Sequence, residues 1–152
     1  MAPLCDHRVA GFLMDKELRF LKSAVDKPVH PFTAVIGGAK VSTKLPVLNS
    51  LLDKCDNILI GGAMMFTFLK CQGYPVGASL VEDEFLPMVK ELLHNAKNKN
   101  VNIVIPIDSV VASEISADAT SSVVSFESTN KGISDNLSGL DIGPKTIDAF
   151  TK

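Results

Sequence analysis

The chain has 152 residues, 46% of them hydrophobic and 21% charged, a globular mixture, since disorder needs low hydrophobicity together with high net charge. Fifteen Lys and Arg against 17 Asp and Glu leave a net charge of -2. That balance supplies no general field for nucleic acid or an anionic membrane, so any anion site must be a local arrangement.

The apolar pattern alternates between two periods along the chain. From Asp15 to Lys27, Leu18, Leu21 and Val25 step by three and four, which predicts a helix. Pro28 and Pro31 end it, because the residue before a proline disfavours the α region. Phe32 to Ile36 reads as a short buried strand running into Gly37-Gly38, and Val41, Leu45, Leu48 and Leu52 then mark a second helix. Pro46 is poorly tolerated inside that helix, so the main part is expected to start near it. The unit repeats: strand Asn57 to Ile60, turn Gly61-Gly62, helix Ala63 to Cys71, stopped by Gly73 and Pro75. A longer helix follows over Glu82 to Lys97, with Pro87 in its first turns, and then strand Val101 to Ile105. Val110-Val111 and Ser122 to Phe126 are weaker strands, Glu127 to Gly139 reads as a loop, and Pro144 starts a last helix holding Ile147 and Phe150. The alternation predicts an α/β fold: a parallel sheet of three to five strands, doubly wound, with helices on both faces.

In such a sheet, ligands gather where strands end and helices begin. The two diglycine turns fall at that level, where glycine lets a flat or charged ligand touch the main chain. Lys40 and Lys44 follow the first turn at i and i+4, a spacing that puts two ammonium groups on one helix face. Like charges there repel, and a polyanion between them relieves the repulsion. That is a physical reason for a phosphate chain; the alternative is a tight turn followed by two solvated lysines. Neither GxxxxGK[ST] nor GxGxxG occurs, so the turns are neither a Walker A loop nor a dinucleotide fingerprint.

The segments Phe32 to Lys44 (FTAVIGGAKVSTK), Ile58 to Gly73 (ILIGGAMMFTFLKCQG) and Gly139 to Lys145 (GLDIGPK) resemble phosphoglycerate kinase. Gly11 to Leu18 (GFLMDKEL) and Val104 to Ala112 (VIPIDSVVA) resemble the same family, in the same order. The resemblance implies a partial, Rossmann-like nucleotide-binding domain over residues 1-152, lacking the family's acid-binding N-terminal domain and the rest of its nucleotide domain. It implies that Gly37, Gly38 and Ala39 lie along an adenine nucleotide and that Gly61 and Gly62 border the adenine. Leu80, Gly139 and Leu140 would close over adenine and ribose, and Lys40 and Lys44 would hold the transferring phosphoryl group and the nucleotide phosphates. The implied reaction is phosphoryl transfer between 1,3-bisphosphoglycerate and ADP, giving 3-phosphoglycerate and ATP. It is positional and electrostatic catalysis that asks little covalent chemistry of the protein. Magnesium belongs to the parent reaction, but the family's metal-holding aspartate has no counterpart here, so no metal ligand is expected. The alternative reading is a non-catalytic, adenine-nucleotide-binding or interaction module.

Two departures stand out. The family usually has a third glycine at the second turn, where this chain has Ala63, whose methyl either crowds the adenine or merely packs. Before GLD the family shows a Pro-Asp-Gly-Trp-Met type stretch, where this chain has Ser134 to Ser138 and no Trp. Other residues have plainer readings: Met64-Met65-Phe66 as core, with Met65 or Phe66 lining the adenine slot as the alternative, and Asp83 and Glu84 as a charged helix start. Asp108 reads as either a turn former or a site residue. His7, His30 and His94 lack ligand spacing and read as solvated, and Cys71 reads as a small buried hydrophobe.

Partners and compartment follow from absences. Cys5, Cys55 and Cys71 are odd in number without CxxC spacing, so neither a disulfide framework nor a zinc site is indicated. No apolar run approaches the ~18 residues that span a bilayer. The opening MAPLCDHRVAG carries neither a signal-peptide nor a transit pattern. The expectation is a cytoplasmic protein, with a plastid as the other setting, that binds no nucleic acid and no membrane. Self-association, or a partner chain, is expected to cover the sheet, because an unflanked apolar strand is a template for pairing.

Overall fold

The computed structural model describes residues 9–127 and 131–152; Cys5 and His7 lie outside them. Helix α1 runs over Phe12–Asp26, followed by strand β1 (Thr33–Gly37), helix α2 (Leu45–Leu51), strand β2 (Asn57–Gly61) and helix α3 (Met65–Cys71). A 3-10 turn over Asp83–Phe85 leads into α4 (Leu86–Asn98) and β3 (Asn102–Val104). Strands β4 (Asp108–Ala112), β5 (Ser122–Ser125) and β6 (Ser138–Ile142) then precede α5 (Pro144–Phe150). Pro46, Pro87 and Pro144 each fall in the first two positions of their helices, where the missing N–H costs nothing. The expected start of α2 near Pro46 is therefore observed.

Strands β1, β2 and β3 form a parallel sheet in sequential order. A parallel order without a reversal, joined by right-handed crossovers, carries its connecting helices on one face. Accordingly Ile58 and Ile60 are fully buried in one core with Leu48 of α2, Phe68 of α3 and Leu92 of α4. The opposite face shows Thr33, Asn57, Leu59, Asn102 and Val104, which line a groove of about 420 Å³ together with Ala149, Phe150 and Lys152 at the end of the chain's last helix. Helices thus meet both faces, very unequally, and Val35 on β1 is 71% exposed.

A second sheet departs from the all-parallel expectation. It is antiparallel, in the order β5-β4-β6, and uses both of the weaker strand candidates. The stretch read as a loop up to Gly139 ends earlier, since Ser138 already pairs with Ala112. Gly139 pairs with Val111 and Asp141 with Val110, which leaves Leu140 as the extra residue of a β-bulge. A bulge bends its strand and re-aims a side chain. Helix α1 forms as predicted, and Leu18, Leu21 and Val25 stay exposed, since among the described residues no element packs closely on that face.

Candidate functional site

The register of the parallel sheet brings the two diglycine turns together. Gly37 pairs with Gly61 at the ends of adjacent strands. Beyond them the backbones touch. Gly62 adopts φ 67°, and a Cβ there would lie 2.7 Å from both the amide nitrogen and the carbonyl oxygen of Gly38. The left-handed conformation and the close approach each demand glycine. Met64 N–H then donates to the Gly38 carbonyl at 2.9 Å, stitching one turn to the other.

The lysines require a correction. Neither lies on a helix: Lys44 is the residue before α2, and Lys40 lies in the preceding turn. That turn is closed by Val41, whose carbonyl accepts from the N–H groups of Lys44 (2.8 Å) and Leu45 (2.9 Å). Val41 is fully buried and anchors the turn to the core. The Lys44 stem folds back over the first diglycine turn, with its Cε 3.3 Å from where a Gly38 Cβ would stand. Lys40 is exposed and Lys44 half-buried, and among the described residues neither takes part in an ion pair. The Lys44 side chain thus fills the space beside Gly38.

Beside the second turn opens a cleft of about 560 Å³. Leu80, Gly139 and Leu140, three of the anticipated residues, line it together, and Leu140 reaches it from the bulge. Gly37, Gly38, Ala39, Gly61, Gly62 and both lysines do not line it; they form the adjoining edge, continuous through Ala63. Ala63 belongs to the cleft wall. Phe66 packs behind the wall as buried core rather than lining the cleft: a Cβ on Gly139 would stand 2.0 Å from its ring tip. Met64 and Met65 are buried core, as read. The sequence reading missed Ala78, Ser138 and the segment Ile115 to Ala117, which complete the wall. No motif marks them; only their convergence does.

The cleft walls are laced together before any ligand arrives. Ala78 N–H donates to the Leu137 carbonyl (2.9 Å), Gly139 N–H to Ser79 Oγ (2.9 Å), and Ser138 Oγ to the Ala78 carbonyl (3.1 Å). Such bonding fixes the spacing between Leu80 and Gly139, so little ordering is left for binding to supply.

Nearby polar groups are mostly structural. Asp108 is buried, and its carboxylate accepts from Lys145 N–H (3.0 Å), Thr146 N–H (2.9 Å) and Thr146 Oγ1 (2.5 Å), so it caps α5 from a distant strand. That decides its ambiguity in favour of architecture. His30 is not simply solvated as expected: its Nδ1 lies 2.6 Å from Asp56 Oδ2. The Phe32 N–H and then His30 hold the Asp56 carboxyl below its ordinary range. Glu82 is likewise held low, chiefly by the Ser42 N–H and opposed by partial burial. Burial pushes the thiols of Cys55 and Cys71 up, away from nucleophilic character. Among the described residues no three His, Cys, Asp or Glu side chains converge to hold a metal ion, and no helix is long and apolar enough to cross a membrane.

Comparison with known proteins agrees with this geometry. A phosphoglycerate kinase of Clostridioides difficile (strain 630) is 52% identical over 145 residues, 95% of this chain and 35% of the relative. The structure of phosphoglycerate kinase from Coxiella burnetii superposes with a TM-score of 0.85 at 40% identity, over 93% of this chain and 35% of that one. The crystal structure of the Pyrococcus horikoshii OT3 phosphoglycerate kinase gives 0.68 at 28% identity, over 92% and 35%. The chain therefore spans about a third of the length of these relatives. The phosphoglycerate kinase family model matches residues 1–152; with paired diglycine turns, a lysine arched over the first and an apolar slot beside the second, the chain belongs to that family.

Proposed function

We propose that these residues form the nucleotide side of a phosphoryl transfer between 1,3-bisphosphoglycerate and ADP, yielding 3-phosphoglycerate and ATP. The observation that carries this reading is the continuity of two unlike surfaces. An apolar slot walled by Ala63, Leu80, Gly139 and Leu140, with Phe66 packed behind Gly139, suits a purine face. It runs into a glycine edge carrying Lys40 and Lys44, which suits a phosphate chain. In this reading the adenine enters the slot, Gly37, Gly38, Ala39, Gly61 and Gly62 let the nucleotide approach the backbone, and the two ammonium groups offset charge on the transferring phosphoryl group. Magnesium, which the parent reaction uses, finds no donor cluster among the described residues, so no step here runs through it. The acid substrate's basic site and the metal-holding aspartate belong, by family resemblance, to the other two thirds of the relatives' length. The protein would work in the cytoplasm or, in a photosynthetic cell, a plastid.

The test is calorimetric titration of ADP and of adenosine. Both should bind saturably, and Lys40→Ala/Lys44→Ala should lose most of the ADP increment while adenosine affinity stays. Absence of adenosine binding, or equal loss of both ligands, would refute the assignment of slot and edge.

A further inference from the structure

The turn that carries the two lysines is anchored to the core by Val41 and is also gripped by a side chain from a distant segment. Ser42 lies between Lys40 and Lys44, two residues from each. Its N–H donates to Glu82 Oε2 at 2.9 Å and its hydroxyl donates to Glu82 Oε1 at 2.7 Å. Both carboxylate oxygens thus accept from Ser42, forty positions away in sequence, and the Val41 N–H also favours the charged carboxylate. Glu82 is itself secured: its N–H donates to Oγ1 of Thr67, a buried residue of α3, at 3.3 Å. The neighbouring Asp83 pairs with Lys70, also on α3, at 2.7 Å. The turn's other polar bonds, Thr43 Oγ1 to the Lys40 carbonyl and Lys44 N–H to the Val41 carbonyl, are internal. They shape the turn without locating it on the sheet.

We propose that Glu82 is a positioning residue for the phosphate end of the site, holding Ser42 so that Lys40 and Lys44 face the space above Gly38. This rests on the nucleotide reading above. Chemistry makes the choice of residue informative. A carboxylate beside an anion site repels the incoming phosphates, and it also draws on the field of Lys40, which helps hold its carboxyl below the ordinary range. A bidentate, charge-assisted grip on Ser42 opposes that cost, because charged hydrogen bonds hold geometry more firmly than neutral ones. The two effects predict opposite signs when the charge is removed.

Glu82→Gln keeps the size of the side chain and one acceptor but loses the charge and the second acceptor. If positioning dominates, ADP affinity falls about tenfold, the scale of one charge-assisted hydrogen bond. Adenosine affinity stays unchanged, because the slot lined by Ala63, Leu80 and Gly139 is fastened separately. In the Lys40→Ala/Lys44→Ala background, Glu82→Gln should cause no further loss, since it acts through those lysines. Ser42→Ala, which keeps the backbone half of the grip, should show the same selectivity with a smaller loss. An unchanged or raised ADP affinity in Glu82→Gln, or an unchanged one in Ser42→Ala, overturns the proposal. So does an equal loss for ADP and adenosine, which would mark a general structural role. A wild-type chain that binds neither ligand brings down the nucleotide reading itself, and the proposal with it.

Discussion

Replacing Gly139 by alanine tests whether the cleft wall is packed directly on the core. The added Cβ would stand 2.0 Å from the Phe66 ring tip and 2.3 Å from the adjoining ring carbon. Carbon atoms rest about 3.5 Å apart or more, so roughly 1.5 Å of separation must be created. Phe66 is 1% exposed and enclosed by core, so the ring has nowhere to go. Overpacking of this kind costs about 1–3 kcal/mol, and part of the strain should lift β6 away from Phe66 and widen the slot. Phe66→Leu alone leaves a partly filled hole and should cost about 1–2 kcal/mol, below the range for full truncation of a buried Phe. Together the two changes should be less harmful than their sum, by about 1–2 kcal/mol, because the shorter side chain vacates the space the methyl needs. Urea unfolding of the wild type, both single variants and the double variant supplies the cycle. Adenosine titration of the same four proteins reports whether the slot recovers. Additivity within about 0.5 kcal/mol would refute the reasoning, since it would mean that the methyl and the ring never compete.

Lys44→Ala should weaken ADP binding more at low salt than at high salt, because a screening length of roughly 30 Å at 0.01 M shrinks to about 3 Å at 1 M. Equal losses at both would show that the lysine acts through packing over Gly38 rather than charge. Asp56 and Glu82 are both held below their ordinary carboxyl values; a carboxylate lowered in the fold stabilises it above the unfolded value and loses that contribution as pH falls through the folded one. Acid unfolding should therefore be steepest at and below the ordinary carboxyl range, and Asp56→Asn should flatten it; an unchanged acid limb would refute the assignment. Light scattering across a concentration series should show self-association, since Val35 is 71% exposed on an edge strand and an open apolar edge invites pairing. A strict monomer that unfolds cooperatively at every concentration would contradict this.

Much of this molecule was legible in local pattern. The three parallel strands, the helices between them and the glycine turns follow from periods of two and 3.6 residues, punctuated by Gly and Pro, because burial of one face imposes those spacings. The family resemblance likewise sat in short contiguous blocks such as GGAKVS and GLDIGP. Contacts between distant segments were not legible. Strand β6 (SGLDI) lacks β-branched residues apart from Ile142, and its extended form is imposed by pairing with β4. The placement of Lys40 and Lys44 in a turn was decided by the buried Val41 and by the grip of Glu82 on Ser42, against a helical spacing that suggested otherwise. Phe66 behind Gly139, Ala63 in the cleft wall, and Asp108 capping α5 each depend on close approach between segments tens of residues apart. Sequence by itself determined which elements form and where the glycine edge with its lysines falls, since both depend on neighbours along the chain. Only the tertiary structure decided which side chains meet across that edge, because packing and hydrogen-bond geometry between remote segments leave no periodic trace in either one.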